Sequence, residues 1–453
     1  MITINKNIQS EIVFMTMEEI VPKESLFRKI DKYIDFTFIY DKVKDLYCDN
    51  NGRPSIDPVV LFKIVFIQAI DGLKSMRQTC KKIKVDAEYR WFLGIPFGQD
   101  TPHFSTFSKN YERRFKESNI FEEIFIEIVN QAIKYNLIDG TTFYTDSTHK
   151  KANANKNKYE DEIIRSVKER RKWLEDEINE ERIRQGRKPF EYKDEIEEKH
   201  IKVSKTDKES GYYHRDNKEK GFMYLDHRTV DDKCNIIVDT YITKGNVHDS
   251  GPFIERAEYI KNTFGFNIKK YGVDSGYLTL DIKKYFIDND IFGVFGYRRY
   301  GKPETRKEKN KYIYDKEYDM YYDKETGEVL EYNGLIDKNG YKTYKNLDKT
   351  KIIRRHIREE WNDLFRDNRL SDEGKKLYQR RKEHVERSFA DSKQNHGYRY
   401  AMYKGVKKNQ HYAWLICSAQ NMKNIAIKND NVGKKPLTLS SIFNNFTKLL
   451  KIS

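Results

Sequence analysis

Along the first 130 residues, apolar positions recur at helical spacing and are punctuated by tight turns. Gly52-Arg53-Pro54-Ser55-Ile56-Asp57-Pro58 reads as a loop running into a helix start, with Asp57 as the cap and Pro58 at the first helical position. The helix that follows to Ile70 is apolar nearly all round, which places it in the middle of a small bundle. Ser75 opens a shorter helix, and Gly94-Ile-Pro-Phe-Gly98 breaks the pattern. Thr101-Pro102-His103 begins another helix, carrying Ser105, Ser108, Lys109, Arg113, Arg114 and Lys116. Short helices with a basic last member fit a helix-turn-helix reader of DNA, with Lys109, Arg113 and Arg114 on the reading helix. A plain bundle with a solvated basic face satisfies the same pattern.

The texture changes near residue 140. Thr141-Thr-Phe-Tyr-Thr-Asp146 is a short β-type run that ends on an acid. Residues 158–200 are densely charged, with Ile163, Val167, Leu174 and Ile178 in steps of four, seven and four. That stripe predicts a long helix, a break at Gln185 to Pro189 and a returning helix from Tyr192 to His200: a helical hairpin inserted into a β-containing domain. Strands are expected at Gly221 to Val230 and Asn235 to Ile242, joined by a turn at Asp231-Asp232-Lys233. Alternating helices and strands follow to Phe295, giving a mixed α/β domain. Residues 298–350 are rich in Tyr and Lys, with hairpin turns at Asp323 to Gly327 and at Asn339-Gly340. Two helices, 357–395 and 409–428, close the pattern before a lysine-rich tail.

Composition narrows the field. With 86 Lys+Arg against 71 Asp+Glu the net charge is +15, which suits a polyanionic partner; a lysine-rich codon bias produces the same balance. The 32 Tyr and 26 Phe exclude a disordered chain. Val59 to Ile70, the longest apolar stretch, is too short for a bilayer crossing and contains Lys63 and Gln68, so no membrane is expected. The beginning lacks a secretory layout, and Cys48, Cys80, Cys234 and Cys417 have no paired spacing; a reducing, cytoplasmic location fits both.

Three acids carry the candidate chemistry. Asp146 and Asp274 each stand where a strand is expected to stop, which is where α/β folds keep their ligand sites. Glu386 lies in Tyr378-Gln-Arg-Arg381-Lys-Glu-His-Val385-Glu386-Arg-Ser-Phe389-Ala-Asp-Ser-Lys393. On a helix Glu386 and Lys393 fall about 20° apart around the axis. Each Asp alone is as well read as a turn or cap residue, and the helix alone as salt-bridged surface. Taken together, two Asp and one Glu suit two Mg²⁺ or Mn²⁺ ions, which activate a water or 3′-hydroxyl for in-line attack on phosphorus.

The segments around Gly52-Arg53-Pro54, Leu73 to Arg77, Trp91 to Gly94 and Phe104 to Phe107 resemble the helical DNA-binding domain of the DDE-type transposases of bacterial insertion sequences. Tyr144-Thr-Asp146-Ser-Thr148 and Val273-Asp274-Ser-Gly-Tyr277 are similar to that family's two Asp motifs. Lys220 to Tyr224, His227 and Gly245-Asn-Val-His-Asp249 resemble the strands between them, and the Tyr378 to Lys393 string resembles the signature around its Glu. The resemblance implies a helical DNA-binding domain over 1–130 and an RNase H-like catalytic domain over 140–430, interrupted at 158–200 and 298–350, with a basic tail at 431–453. It further implies Asp146, Asp274 and Glu386 as catalytic metal ligands, and Arg381, Lys393 and Tyr378 as contacts to transposon-end DNA. Asn246 and His248 line the site or cap a loop, and His227 is a strand residue. Double-stranded DNA, both element ends and target, is the implied partner, handled by a homodimer. Some relatives carry clustered cysteines in the region matching 298–350; this chain has none there, so no zinc is expected. A non-catalytic DNA binder and a metal-dependent nuclease are the competing readings.

Overall fold

The structure, a computed structural model, describes residues 12, 14–48, 55–214, 219–297 and 311–437. Its elements up to Lys134 are all helical: α1 (Met17–Ile20), α2 (Leu26–Tyr33), α3 (Phe38–Val43), α4 (Pro58–Ile70), α5 (Met76–Ile83), α6 (Ala87–Leu93), α7 (Ser105–Asn110) and α8 (Ile120–Lys134). Then come β1 (Thr142–Lys151), β2 (Tyr159–Val167), α9 (Lys172–Arg184), β3 (Ile196–Ser204), β4 (Gly211–Tyr213), β5 (Gly221–Asp231) and β6 (Ile237–Lys244). α10 (Phe253–Phe264), β7 (Lys270–Val273), α11 (Leu280–Asp288) and β8 (Phe292–Phe295) follow. Next are β9 (Tyr312–Asp315), β10 (Met320–Asp323), β11 (Val329–Ile336), β12 (Tyr341–Lys345) and β13 (Ile352–His356). The last helices are α12 (Glu359–Leu370), α13 (Asp372–Arg381), α14 (Arg387–Gln394) and α15 (Val406–Asn431). They form two compact units: Met1–Asn157, Ser204–Ile268 and Arg381–Ser453 in the first, Lys158–Val203 and Lys269–Arg380 in the second.

In the first unit, Asp57 starts α4 as its sequence predicts, accepting from the Val59 and Val60 amides at 2.7 and 3.2 Å. The Gly52–Pro54 part of that loop lies outside the described residues. Phe62 of α4 packs on Phe115 and Phe121 with ring centroids 5.3 and 6.2 Å apart. Ser75 caps α5, and Gly94 ends α6 with φ +67°, a backbone shape that glycine adopts without strain. After α7 the helix widens into a π turn, Tyr111–Phe115, which buries Phe115 and leaves Lys109 and Arg113 exposed.

β5 is the central strand of this unit, pairing antiparallel with β1, β4 and β6. Its register sets Asp146 opposite Arg228, Thr148 opposite Asp226 and Lys150 opposite Tyr224. α15 is buried along most of its length. Gln410 and Asn421, eleven residues and three turns apart, share its sheet-facing side. The Gln410 amide takes the Ile242 N–H at 2.7 Å and gives to the Thr240 carbonyl at 2.8 Å. Asn421 does the same to both backbone groups of Ile237, each at 2.8 Å. Two side-chain amides thus stand in for a neighbouring strand along β6 and satisfy an otherwise open edge.

In the second unit β7 and β8 pair in parallel, and β9 to β13 form an antiparallel meander around buried Tyr321, Leu330 and Tyr344. The expected turns are present: Asp323 Oδ1 accepts from the Glu325 and Thr326 amides at 2.8 and 3.2 Å, and Gly340 has φ +82°. Leu174 and Ile178 of α9 pack on Ile336 of β11.

Three expectations need correction. The run ending on Asp146 continues to Lys151, so Asp146 is a mid-strand residue; polar Thr148 and Lys150 remain in β1 because β5 offers polar and aromatic partners opposite them. Residues 158–200 do not form a helical hairpin: β2 and β3 form a ribbon, and α9 is the sole helix between them among the described residues. The 357–395 helix is three helices. Ser371 turns extended and caps α13 by accepting from the Gly374 amide at 3.0 Å, and a Cβ on Gly374 would lie 1.8 Å from the Asn368 carbonyl oxygen. A π turn, Lys382–Glu386, then separates α13 from α14.

Candidate active site

Asp146 and Glu386 meet through Arg381. The guanidinium donates through Nη2 to Asp146 Oδ2 at 2.6 Å and through Nη1 to Glu386 Oε1 at 2.9 Å. Only 7% of the Arg381 side chain is exposed, against 18% for Asp146 and 44% for Glu386. The π turn explains the geometry, since its wider coil brings residues five apart onto one face, and Glu386 follows Arg381 by five. Val385 and Phe389, the expected apolar ridge, are buried. Behind Asp146, the Tyr144 ring stacks on His384 at 5.0 Å and its hydroxyl donates to Asp232 at 2.6 Å.

A buried polar layer supports the pair. Arg228, fully buried, donates to Asp226 at 2.8 Å, to the Ser388 hydroxyl at 2.8 Å and to Gln420 at 3.0 Å. Asp226 also accepts from Thr240 at 2.8 Å, so its two oxygens are both engaged. Lys393 donates to Thr148 at 2.5 Å, two residues along β1 from Asp146. Burial lowers the Lys393 pKa against the pull of Asp226, with Arg228 lowering it further. Asp391 is desolvated too, yet hydrogen bonds from His396, Asn395 and Gln420 hold its carboxyl well below the usual range. Lys150 is the extreme member: fully buried, its ammonium sits 4.1 Å over the Tyr398 ring, and burial pulls its pKa down to about 7.

Asp274 belongs to the second unit and follows β7 directly, as expected. Its Oδ1 and the Tyr378 hydroxyl both lie over Gly296, where a Cβ would come within 2.8 and 2.7 Å of them. Glycine there gives the acid and the phenol room to share that spot. Carboxylate oxygens are the donors that hard divalent cations take. Among the described residues, however, no three His, Cys, Asp or Glu side chains are gathered to hold a metal ion. The positive charge between Asp146 and Glu386 is the Arg381 guanidinium.

Other expected residues are placed plainly. His227 is buried in β5, donating or accepting with Thr243 at 2.9 Å, and burial brings its pKa down to about 4. His248 takes its loop-capping role, with Nδ1 2.6 Å from the Ser250 hydroxyl. Of the three basic residues near α7, Arg114 lies 4.5 Å over the Tyr47 ring and bonds Asn110, while Lys109 and Arg113 reach solvent. A cleft of about 860 Å³ in the second unit includes Lys168, Arg171, Lys283, Arg366 and Arg369 in its lining. Burial lowers Lys283 there to about 8.

Thr148, Asp226, Arg228 and Lys150 were not singled out from the sequence. A signal existed: Asp146, Thr148 and Lys150 are alternate residues of one strand, as are Asp226 and Arg228 of another. Reading it required the β1–β5 register, which two isolated strands do not disclose.

Comparison with known proteins finds two family models that each match part of the chain. A model described as "Transposase domain (DUF772)" matches residues 15–113, and one described as "Transposase DDE domain" matches residues 342–426. The first match spans α1 to α7; the second contains Arg381, Glu386 and Lys393. No curated protein matches the chain. A solved structure, the piggyBac transposase synaptic complex with hairpin DNA, is similar at 9% identity and a TM-score of 0.36, over 93% of this chain and 78% of that one. Among the described residues no helix is long and apolar enough to cross a membrane.

Proposed function

We propose that the chain is a transposase that resembles the DDE-type enzymes of insertion sequences, and that it binds the inverted repeats of its element, cuts at their ends and joins them to target DNA. The observation that carries this reading is the Arg381 bridge, which unites the expected first acid with the expected last. In the proposal the catalytic part is RNase H-like, covers 140–430 and works on double-stranded DNA as a cytoplasmic homodimer, and the helices of 1–130 read the repeats. Asp146, Asp274 and Glu386 would hold Mg²⁺ or Mn²⁺, and such ions supply activation of the attacking oxygen and stabilisation of the leaving one.

The chain's own residues then have distinct tasks. Arg381 screens Asp146 and Glu386 from each other until a DNA backbone enters. It then turns to the phosphodiester, whose paired oxygens match its fork of N–H donors as a carboxylate does. Lys393 remains beside Asp146 as a second cation for the phosphate. Tyr378 stands with Asp274 and orients the DNA end by packing or a hydrogen bond. The buried Arg228–Asp226 pair holds β5 against α14, which keeps Asp146 and Glu386 in reach of one guanidinium.

A cleavage and joining assay on repeat-ended DNA with Mn²⁺ tests the reading. The wild type should cut and join, whereas Asp146→Asn, Asp274→Asn and Glu386→Gln should each lose cutting and still retain a shifted band with the repeats. Binding without cutting by the wild type would identify a non-catalytic binder. Cutting without joining would identify a nuclease.

A further inference from the structure

β2 and β3 form a ribbon of two strands, and no other strand of the described residues pairs with either. Its register follows from two cross-strand ion pairs, Arg165–Glu198 at 2.7 Å and Lys168–Glu195 at 3.0 Å: three residues forward on β2 is three back on β3. A ribbon alone is marginal in water. This one leaves Ile163, Val167 and Ile196 exposed at 56, 60 and 71%. The three share a face, because Ile163 and Val167 are four apart on a strand and the register sets Ile196 opposite Val167.

That face of β2 reads Tyr159, Asp161, Ile163, Arg165, Val167. Turned end for end about Ile163, the row matches itself: Tyr159 meets Val167, Asp161 meets Arg165, and Ile163 meets Ile163. We propose that β2 pairs antiparallel with β2 of a second copy of this chain, the two-fold axis passing at Ile163. Only an even register keeps opposed side chains on one face of a two-fold sheet, which leaves centring on Ile163 or a neighbour such as Glu162 or Ile164. Centring on Glu162 would oppose like charges, and centring on Ile164 would face Asp161 with Val167 and Ile163 with Arg165. At Ile163 each copy's Asp161 faces the other's Arg165.

The flanking strand completes the pattern. The ribbon's own register places Lys202 opposite Asp161 and sets Glu198 against Arg165. Across a four-stranded sheet the row becomes Lys202, Asp161, then the second copy's Arg165 and Glu198, alternating in sign throughout. Cross-strand opposite charges and paired apolar residues stabilise a sheet, and the new ladder satisfies the β2 edge. Duplex DNA is a poor occupant, since Glu160, Asp161 and Glu162 on β2 and Glu197 and Glu198 on β3 repel phosphate. This interface stands on the ribbon and goes beyond the reading of the acids.

Sedimentation of the full chain without DNA or metal tests it, so the result is independent of whether the chain cuts DNA. The wild type should dimerise. Asp161→Arg and Arg165→Asp should each raise the dimer dissociation constant at least about tenfold, because two symmetric pairs change from attraction to repulsion. The double exchange should restore dimerisation to near the wild-type level. Ile163→Cys should give a disulfide-linked dimer under mild oxidant that the wild type does not form, and it serves should a charge variant fail to fold. A monomer at micromolar concentrations overturns the proposal, as does a dimer indifferent to both single exchanges. So does a monomeric chain in which Arg165→Asp weakens DNA binding, which would assign the ribbon to DNA.

Discussion

Arg381 and Asp146 make a short, nearly buried ion pair, 2.6 Å long and 7% and 18% exposed, and the same guanidinium holds Glu386 at 2.9 Å. One cation shared between two carboxylates leaves a net negative site whose charge is screened, not removed. The arrangement screens the two acids from each other electrostatically, and under the proposed function it gives Arg381 a resting place beside the phosphate it would meet.

Arg381→Ala should therefore separate stability from cation binding. Loss of two charged hydrogen bonds, one at a half-exposed acid, should lower unfolding free energy by roughly 1–3 kcal/mol in urea titrations. Without that guanidinium, Asp146 and Glu386 should in turn bind Mn²⁺ more tightly in calorimetry of the DNA-free chain, while cutting of repeat-ended DNA falls. Unchanged Mn²⁺ affinity would mean that the bridge does not guard a cation position.

Lys150 should give the chain a pH signature. It is buried, its Nζ has no hydrogen-bond partner, and burial lowers its pKa to about 7 from 10.5; Asp226 and Cys417 raise it, Arg228 lowers it. Between those values the unfolded chain holds a proton that the folded chain lacks, so stability rises with pH across the window. Below about 7 both states are protonated and the full penalty of a buried ammonium remains. Lys150→Met should raise stability by roughly 1–3 kcal/mol near neutral pH, and its advantage should shrink as pH rises toward 10. Lys283, lowered to about 8, contributes a similar slope to both proteins, so the difference between variant and wild type is the quantity to follow. An advantage constant with pH would show that Lys150 keeps the same pKa in the folded and unfolded chain.

What the sequence disclosed depended on how local the cause was. Asp57 and Pro58 start α4 by their own chemistry, and Asp323 and Gly340 make their turns in the same way. The Tyr378 to Lys393 string placed Arg381, Glu386 and Lys393 in a helical stretch, and the structure joins the first two by a salt bridge. Ile163 and Val167 misled because a spacing of four is one face of a helix and also one face of a strand. Asp146 looked terminal because Thr148 and Lys150 are polar, and only β5 opposite them makes a polar strand interior tolerable. The π turn at Lys382–Glu386 has no composition of its own; it appears where Arg381 must reach a residue five positions on.

The three basic residues near α7 should divide into two classes when DNA binding is measured against salt. Lys109 and Arg113 are exposed and free to meet phosphates, whereas Arg114 is half-buried on Tyr47 and bonded to Asn110. Each neutralised phosphate contributes a slope of about −0.9 to the logarithm of affinity against the logarithm of salt. Lys109→Ala and Arg113→Ala should each make that slope shallower by about 0.9 and weaken repeat and random DNA alike, because a phosphate contact carries no base information. Arg114→Ala should leave the slope in place and instead lower the melting temperature, since its loss uncovers Tyr47 and strips a partner from Asn110. Slopes unchanged from wild type in both Lys109→Ala and Arg113→Ala would move the DNA-reading surface away from α7.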